Sequence, residues 1–224
     1  MAALNTDVQD RIVWRTRSGN EVDYCASVVW DDLRQGQAEV PWANVVWFPQ
    51  SVPHHSFLMW LSVQKKLKTQ DIMSRWSSSG KTNFNLMCCS LCTTGLDSHE
   101  HLFFECPYAT QVWNGIKDKA DIGAIPNIWE RIYDHLLQFA KFGRAKHIIG
   151  KILVGAAAYF VWEERNQRLF STKKRSADQL VEVILTTVRM KLHTMKFKRT
   201  SQANNVLQEW RLPRGLLMDE DDGG

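Results

Sequence analysis

Four of the chain's five cysteines and two of its seven histidines lie in the segment MCCSLCTTGLDSHEHLFFEC, residues 87–106. Cys89 and Cys92 are separated by two residues, a spacing at which one tight turn brings both sulfurs to the same ion. His101 and Cys106 have four residues between them, so a turn and a short helical step can bring a nitrogen and a sulfur to that ion. The pattern Cys-x2-Cys-x8-His-x4-Cys predicts a structural Zn²⁺, because four protein ligands leave no open coordination position.

Two neighbouring residues offer alternative ligands. Cys88 can replace Cys89 with one more spacer residue, although the two-residue spacing has the better turn geometry. His99 competes with His101, which is favoured because the apolar residues after it can fix its backbone in a core. His99 is then expected to be solvated or to meet a ligand with its ring. Free thiols filling a core are another alternative, and a redox pair is disfavoured because no thioredoxin-like βαβ pattern surrounds the Cys-x-x-Cys.

Positive charge is concentrated in the C-terminal third of the chain. The net charge is +4 overall, but residues 141–214 contain 16 Lys/Arg against 5 Asp/Glu, and the final segment LLMDEDDGG adds four acids. Such asymmetry predicts a polyanionic partner, since Lys and Arg release counterions from phosphates; a solvated helix face is the alternative. No base-reading motif is present, so RNA or DNA binding should be nonspecific. The residues expected to contact nucleic acid are Lys173, Lys174, Arg175, Lys191, Lys196, Lys198 and Arg199.

Helical periodicity dominates the chain, and alternation typical of strands is scarce. We expect helices over about residues 22–35, 53–67, 70–76, 107–120, 126–142, 144–170 and 176–199. The predicted fold class is mainly α, with a small Cys-Cys-His-Cys zinc knuckle embedded between helices. The predicted organisation is a zinc-binding domain over 20–120, a basic helical C-terminal region over 126–212 and a disordered acidic tail over 213–224.

The cysteine block and its surroundings resemble a known family. The segment VWFPQSVPHHSFLMWLSVQKKLKTQDIMSRW, followed by CSLC and DSHEHLFFEC, is similar to the zinc-binding region downstream of the reverse transcriptase in plant LINE-type non-LTR retrotransposons. The resemblance covers about residues 20–120, and VWEERNQRLF and EWRLP resemble a segment that often follows. Asp97 stands where the family usually has Glu, and Cys88 is an additional thiol. The matching residues are Trp47, Pro53, Phe57, Trp60, Leu61, Leu67, Thr69, Trp76, Cys89, Cys92, Asp97, Ser98, His101, Leu102, Phe103, Cys106 and Trp113.

This resemblance implies a noncatalytic, zinc-dependent nucleic-acid-binding module derived from a retrotransposon polyprotein. The alternative is a stand-alone structural or protein-interaction domain with a structural zinc, whose partner is a protein of a retrotransposon complex. An enzyme is not expected, because Asp31 and Asp32 lie in a helical pattern without the third carboxylate that two-metal chemistry needs. No apolar run approaches about 18 residues and no leader is visible, so we expect a nuclear or cytoplasmic location and no membrane partner.

Overall fold

The structure is a computed structural model that describes residues 11–34, 38–75, 88–171 and 173–218. The chain divides into two compact units, Met1–Val40 and Pro41–Gly224. The acidic residues of the tail lie outside the described residues, as does Trp76; so does the segment SSSGKTN, residues 77–83, for which the sequence predicts a turn or small loop.

The first unit contains a β-hairpin followed by a helix. Strand β1 (Val13–Arg15) pairs antiparallel with β2 (Glu21–Asp23), and helix α1 covers Ala26–Leu33. Gly19, with φ of 87°, permits the turn between the strands. The helix predicted over 22–35 therefore begins four residues later than expected, because its first residues pair with β1 across the turn.

Asp31 and Asp32, which sequence reasoning rejected as catalytic carboxylates, have partners within this first unit. Asp32 accepts hydrogen bonds from the Trp14 indole at 2.9 Å and from the backbone N–H of Arg17 at 3.1 Å. Asp31 lies 3.1 Å from Arg34 in an exposed ion pair. Asp32 thus joins the hairpin to α1.

In the described residues of the second unit, every regular secondary-structure element is a helix. Its α-helices are α2 (Ala43–Val46), α3 (Pro53–Val63), α4 (Gln70–Ser74), α5 (Pro107–Asn114), α6 (Trp129–Gln138), α7 (Ala145–Phe170), α8 (Ala177–His193) and α9 (Ser201–Glu209). A π-type turn spans His101–Glu105, and 3₁₀ turns span Lys117–Ala120 and Arg214–Leu216. The cysteine block lies between α4 and α5, so the predicted mainly α fold with an embedded knuckle is confirmed.

Helix α7 forms the centre of the second unit and packs against α3, α5, α6, α8 and α9. Its middle residues, from Ile149 to Ala158, are buried on nearly every side. An 18-residue window of α7 reaches a mean hydropathy of 1.2, enough by length and composition for a membrane span, which sequence inspection did not expect. Because 61% of that window is buried inside the protein, the pattern is typical of a core helix.

The basic C-terminal segment is divided into two helices rather than one. Ser176 begins α8 with a capping box, accepting from the Gln179 backbone at 3.2 Å, as its sequence position predicts. Helix α8 ends at His193, six residues before the expected end. Met195 and Phe197 then turn into the core and Thr200 caps α9. Residues 213–218, assigned by sequence to a disordered tail, form a 3₁₀ turn and a bridge between Leu217 and Phe197.

Candidate metal centre

The structure brings together the side chains of Cys89, Cys92, His101 and Cys106, whose donor atoms all lie within 4.8 Å of one another. The Cys89 and Cys106 sulfurs are 3.9 Å apart, and the Cys92 sulfur is 3.2 Å from His101 Nε2. Cys89 and Cys106 are fully buried, whereas Cys92 and His101 are half-buried. These are the four residues that the sequence spacing selects.

A tight loop positions the first two cysteines. The Cys89 N–H donates to the Gly95 carbonyl at 2.7 Å, and the Thr93 N–H donates to the Cys89 carbonyl at 2.8 Å. Thr93 has φ of 62°, which reverses the chain after Cys92. A Cβ on Gly95 would lie 2.3 Å from His101 Cε1 and 2.6 Å from Nε2. Only glycine therefore lets the imidazole lie against this loop.

The second pair of donors depends on an irregular turn. The Ser98 hydroxyl accepts from the His101 N–H at 3.2 Å, and the Cys106 N–H donates to the His101 carbonyl at 2.6 Å. Phe104 adopts φ of 79°, in the left-handed region, so the chain folds back on itself between the two ligands. Pro107 then begins α5 directly after Cys106, at the position that suits proline because no helical N–H is lost there.

Aromatic packing stabilises this unusual backbone. The Phe104 ring stacks on Trp113 of α5 with centroids 4.5 Å apart and an interplanar angle of 24°. Leu102, Phe103 and Phe104 are all fully buried, consistent with the expectation that apolar residues anchor the backbone beside His101. The burial of three large side chains offsets the cost of a left-handed phenylalanine.

The alternative ligands lie away from the cluster. Cys88 is exposed and pairs through its backbone with Leu96. His99 is only 3% exposed, and its ring packs edge-on against Phe103 at 4.9 Å and Trp129 at 5.7 Å. The expectation that His99 is solvated or touches a ligand is therefore wrong, because Phe103 of the π-type turn and Trp129 of α6 enclose its ring.

The donor set fits zinc. Thiolates bound at about 2.3 Å to a tetrahedral ion lie about 3.8 Å apart, close to the observed 3.9 Å between Cys89 and Cys106. Three soft sulfurs and one imidazole are ligands that favour Zn²⁺ over hard cations such as Mg²⁺. The four residues would hold Zn²⁺ in a site without an open coordination position.

Comparison with known families supports the same assignment. Residues 24–113, which include the whole cluster, match the model of the family described as zinc-binding in reverse transcriptase. The matched segment, residues 24–113, is referred to below as the zinc-binding domain. No curated protein and no solved structure matches the chain significantly.

Contacts within the cluster lower the pKa of two of its thiols and raise the pKa of the third. Hydrogen bonding with Cys106 lowers the pKa of Cys89 to about 6. The same contact, together with burial, raises the pKa of Cys106 above its ordinary value. Burial acts to raise the pKa of Cys92, but hydrogen bonds from Thr94 and His101 outweigh it and lower that pKa. Because zinc binds thiolates, a cluster that stabilises one thiolate before metal arrives favours binding.

A buried ion pair joins the zinc-binding domain to the later helix α7. Asp97 is 0% exposed and is paired with Nε and Nη2 of the Arg165 guanidinium, and the Arg165 side chain is 2% exposed. Asp97 also accepts from the Gln70 backbone N–H at 2.9 Å. The knuckle is attached to α7 twice more: Ser90 donates to the Arg165 carbonyl at 3.0 Å, and Arg168 donates to the Leu91 carbonyl at 2.8 Å.

The sequence analysis named Asp97 and the VWEERNQRLF segment but did not predict that they contact each other. No clear local signal marks this pairing, because Arg165 lies in the polar run EERNQ, residues 163–167, where an arginine is ordinarily exposed. Two further arginines of this region also serve the fold: Arg168 pairs with Glu164 at 2.8 Å, and Arg175 pairs with Glu163 at 3.0 Å.

The residues expected to contact nucleic acid fall into two places. Lys173, Lys174 and Arg175 lie before α8, where Arg175 is engaged with Glu163. Lys191, in the last turn of α8, and the segment from Lys196 to Arg199 lie at the other end of that helix. A 17-residue helix is about 25 Å long, so the two groups form separate surfaces.

Proposed function

We propose that the protein is a noncatalytic, zinc-dependent nucleic-acid-binding module derived from a retrotransposon polyprotein. The observation that carries the proposal is a closed Cys₃His cluster built into the same core as a strongly basic helical region. The zinc-binding domain supplies a fixed fold, and the cations of residues 141–214 supply affinity for phosphates.

The zinc ion has a structural role in this proposal. Its four protein donors would fill a tetrahedral coordination shell, which would leave no position for a water or a substrate. Structural zinc in finger peptides contributes on the order of 10–16 kcal/mol of apparent binding free energy at neutral pH. Because Cys89 and Cys106 are fully buried in the apolar core, loss of the ion would disturb the packing around α5.

Nucleic-acid contact in this proposal is made by exposed cations. Five of the expected cations are exposed, and they include no motif that recognises bases: Lys173, Lys174, Lys196, Lys198 and Arg199. Binding to RNA or DNA is therefore expected to be nonspecific in sequence and to weaken steeply with salt. We place the protein in the nucleus or cytoplasm, where such partners occur, without a membrane role.

A protein-interaction domain is the second candidate function. It is favoured by the apolar surface of the first unit, where Ile12, Tyr24, Trp30 and Leu33 are 74%, 56%, 65% and 48% exposed. Large apolar side chains clustered on one small unit are typical of a surface that binds another protein. In this candidate the zinc only maintains the fold, and the partner is a protein of a retrotransposon complex.

Salt-dependent RNA binding separates the two candidates. Zinc-loaded protein is titrated against a fluorescein-labelled single-stranded RNA at several NaCl concentrations, and anisotropy reports binding. We expect the logarithm of affinity to fall linearly with that of salt, by about 0.7 per phosphate contact. A Cys92→Ser variant should lose stoichiometric zinc by elemental analysis, and RNA binding with it. Affinity no greater than that of a charge-matched, unrelated protein would refute nucleic-acid binding and favour protein interaction.

A further inference from the structure

A cleft of about 760 Å³ opens where the end of α8 meets the start of α7. Its size is within the range typical of ligand sites. It lies in the second unit and is lined almost wholly by residues outside the segment matched by the zinc-binding family. The residues that line it are Pro49, Gln50, Gly143, Arg144, Ala145, Ile148, Lys191, Thr194, Met195, Lys196, Phe197, Lys198, Thr200, Gln202, Ala203 and Met218.

The charge of this cleft is of one sign. Arg144, Lys191, Lys196 and Lys198 contribute four cations, and none of the described lining residues is a carboxylate. Among the described parts of the chain, no carboxylate forms an ion pair with any of these four cations. The Lys196 ammonium donates to the Gly215 carbonyl at 3.1 Å, and this contact orients the side chain without adding a negative charge.

The helix ends around the cleft favour an anion as well. Ala145 and Ile148 belong to the first turn of α7, and Thr200 caps α9, whose early residues Gln202 and Ala203 also line the cleft. The N-termini of helices carry partial positive charge. The carbonyl end of α8 carries the opposite partial charge, but Lys191 in its last turn compensates for it.

The floor of the cleft is fixed rather than adaptable. Phe197 is 4% exposed, its N–H donates to the Leu216 carbonyl at 2.8 Å, and its carbonyl accepts from Met218 at 2.8 Å. These two hydrogen bonds hold Lys196 and Lys198 on either side of a buried ring. Because the ring is buried, it offers no platform on which a base could stack.

We propose that this cleft binds the phosphodiester backbone of a single-stranded nucleic acid, with Arg144, Lys191 and Lys198 as phosphate contacts. The inference rests on the proposed function and adds where the nucleic acid binds: all three cations lie outside the segment matched by the zinc-binding family. Arg144, which sequence reasoning did not select, belongs to it. A single strand can place phosphates inside a concave cleft, whereas a duplex presents its phosphates on the outside of a rigid cylinder.

The test compares two charge-neutralised variants of the full chain in their zinc-loaded form. The first is the triple variant Arg144→Gln, Lys191→Gln, Lys198→Gln. The second, the control, is Arg15→Gln, Lys66→Gln, Arg131→Gln, which removes the same charge at exposed residues that neither line the cleft nor belong to the basic region over 141–214. Each is titrated with fluorescein-labelled single-stranded RNA and with the matching duplex over a range of NaCl. Circular dichroism and zinc stoichiometry verify that both variants fold.

Loss of three phosphate contacts should lower the salt slope by about 2, which corresponds to about a hundredfold weaker binding at 0.1 M salt if affinities converge at 1 M. The RNA affinity of the control should stay within about threefold of the wild-type affinity, and its salt slope should be nearly that of the wild type. Equal weakening of both variants would overturn the cleft proposal while leaving nucleic-acid binding intact, and so would duplex binding as tight as single-strand binding. Absence of wild-type binding would overturn the proposed function itself.

Discussion

Replacement of Arg165 by methionine should strongly destabilise the protein, because it leaves the carboxylate of Asp97 without its cation in a fully buried position. Asp97 is 0% and Arg165 2% exposed, and the guanidinium meets both carboxylate oxygens. Among the described residues, the Gln70 N–H at 2.9 Å would remain as a donor to that carboxylate. Removing one partner of a buried ion pair costs about 3–5 kcal/mol, and we expect an Arg165→Met effect within that range.

The assay is urea unfolding of the zinc-loaded protein, followed by circular dichroism. The matched control is Lys146→Met, on the same helix α7, which removes an exposed ion pair to Asp121 at 3.1 Å. An exposed pair contributes about 0–1 kcal/mol, so this control should unfold close to the wild type. The double variant Asp97→Asn, Arg165→Met should be more stable than the sum of the single effects predicts, since it leaves no unpaired charge.

Two results would refute this reasoning. One is an Arg165→Met protein whose free energy of unfolding lies within about 1 kcal/mol of the wild type, which would show that Asp97 finds other solvation. The other is strict additivity of the two single substitutions, which would show that the residues do not interact despite their contact.

Two further predictions concern the zinc-binding domain and the core. Gly95→Ala should weaken zinc binding by about 10–100-fold in competition with a colorimetric chelator, because the new Cβ would displace the His101 ring, 2.3 Å away. The control Gly143→Ala, where nothing lies within 4 Å of the new Cβ, should bind zinc normally. Equal zinc affinities of the two variants would contradict the geometry of the site. Burial lowers the pKa of His55 to about 4, so the unfolded chain takes up this proton first and stability should fall as pH drops from about 6.5 towards 4. His55→Leu should reduce this acid-induced loss in melting experiments and exposed His193→Leu should not; an unchanged pH profile for His55→Leu would show that His55 stays uncharged in both states.

Local sequence signals were sufficient for features that depend on near neighbours. The spacing of Cys89, Cys92, His101 and Cys106 selects the four donors that converge, because two short turns determine where their side chains point. Proline positions and the Ser176 capping box likewise locate helix starts, since each acts within one turn of the backbone. The mainly α fold followed from hydrophobic periodicity alone.

Tertiary structure decided the features that join distant parts of the chain. Asp97 and Arg165 are 68 residues apart in sequence and meet only because α7 packs against the knuckle. His99 reads as a candidate ligand from its spacing and is instead enclosed by Trp129 of a later helix. Arg144 shares its cleft with Lys191 and Lys198 because α7 and α8 lie side by side. Periodicity specifies which face of a helix is apolar, but the neighbour that covers that face is chosen by the packing of the whole core.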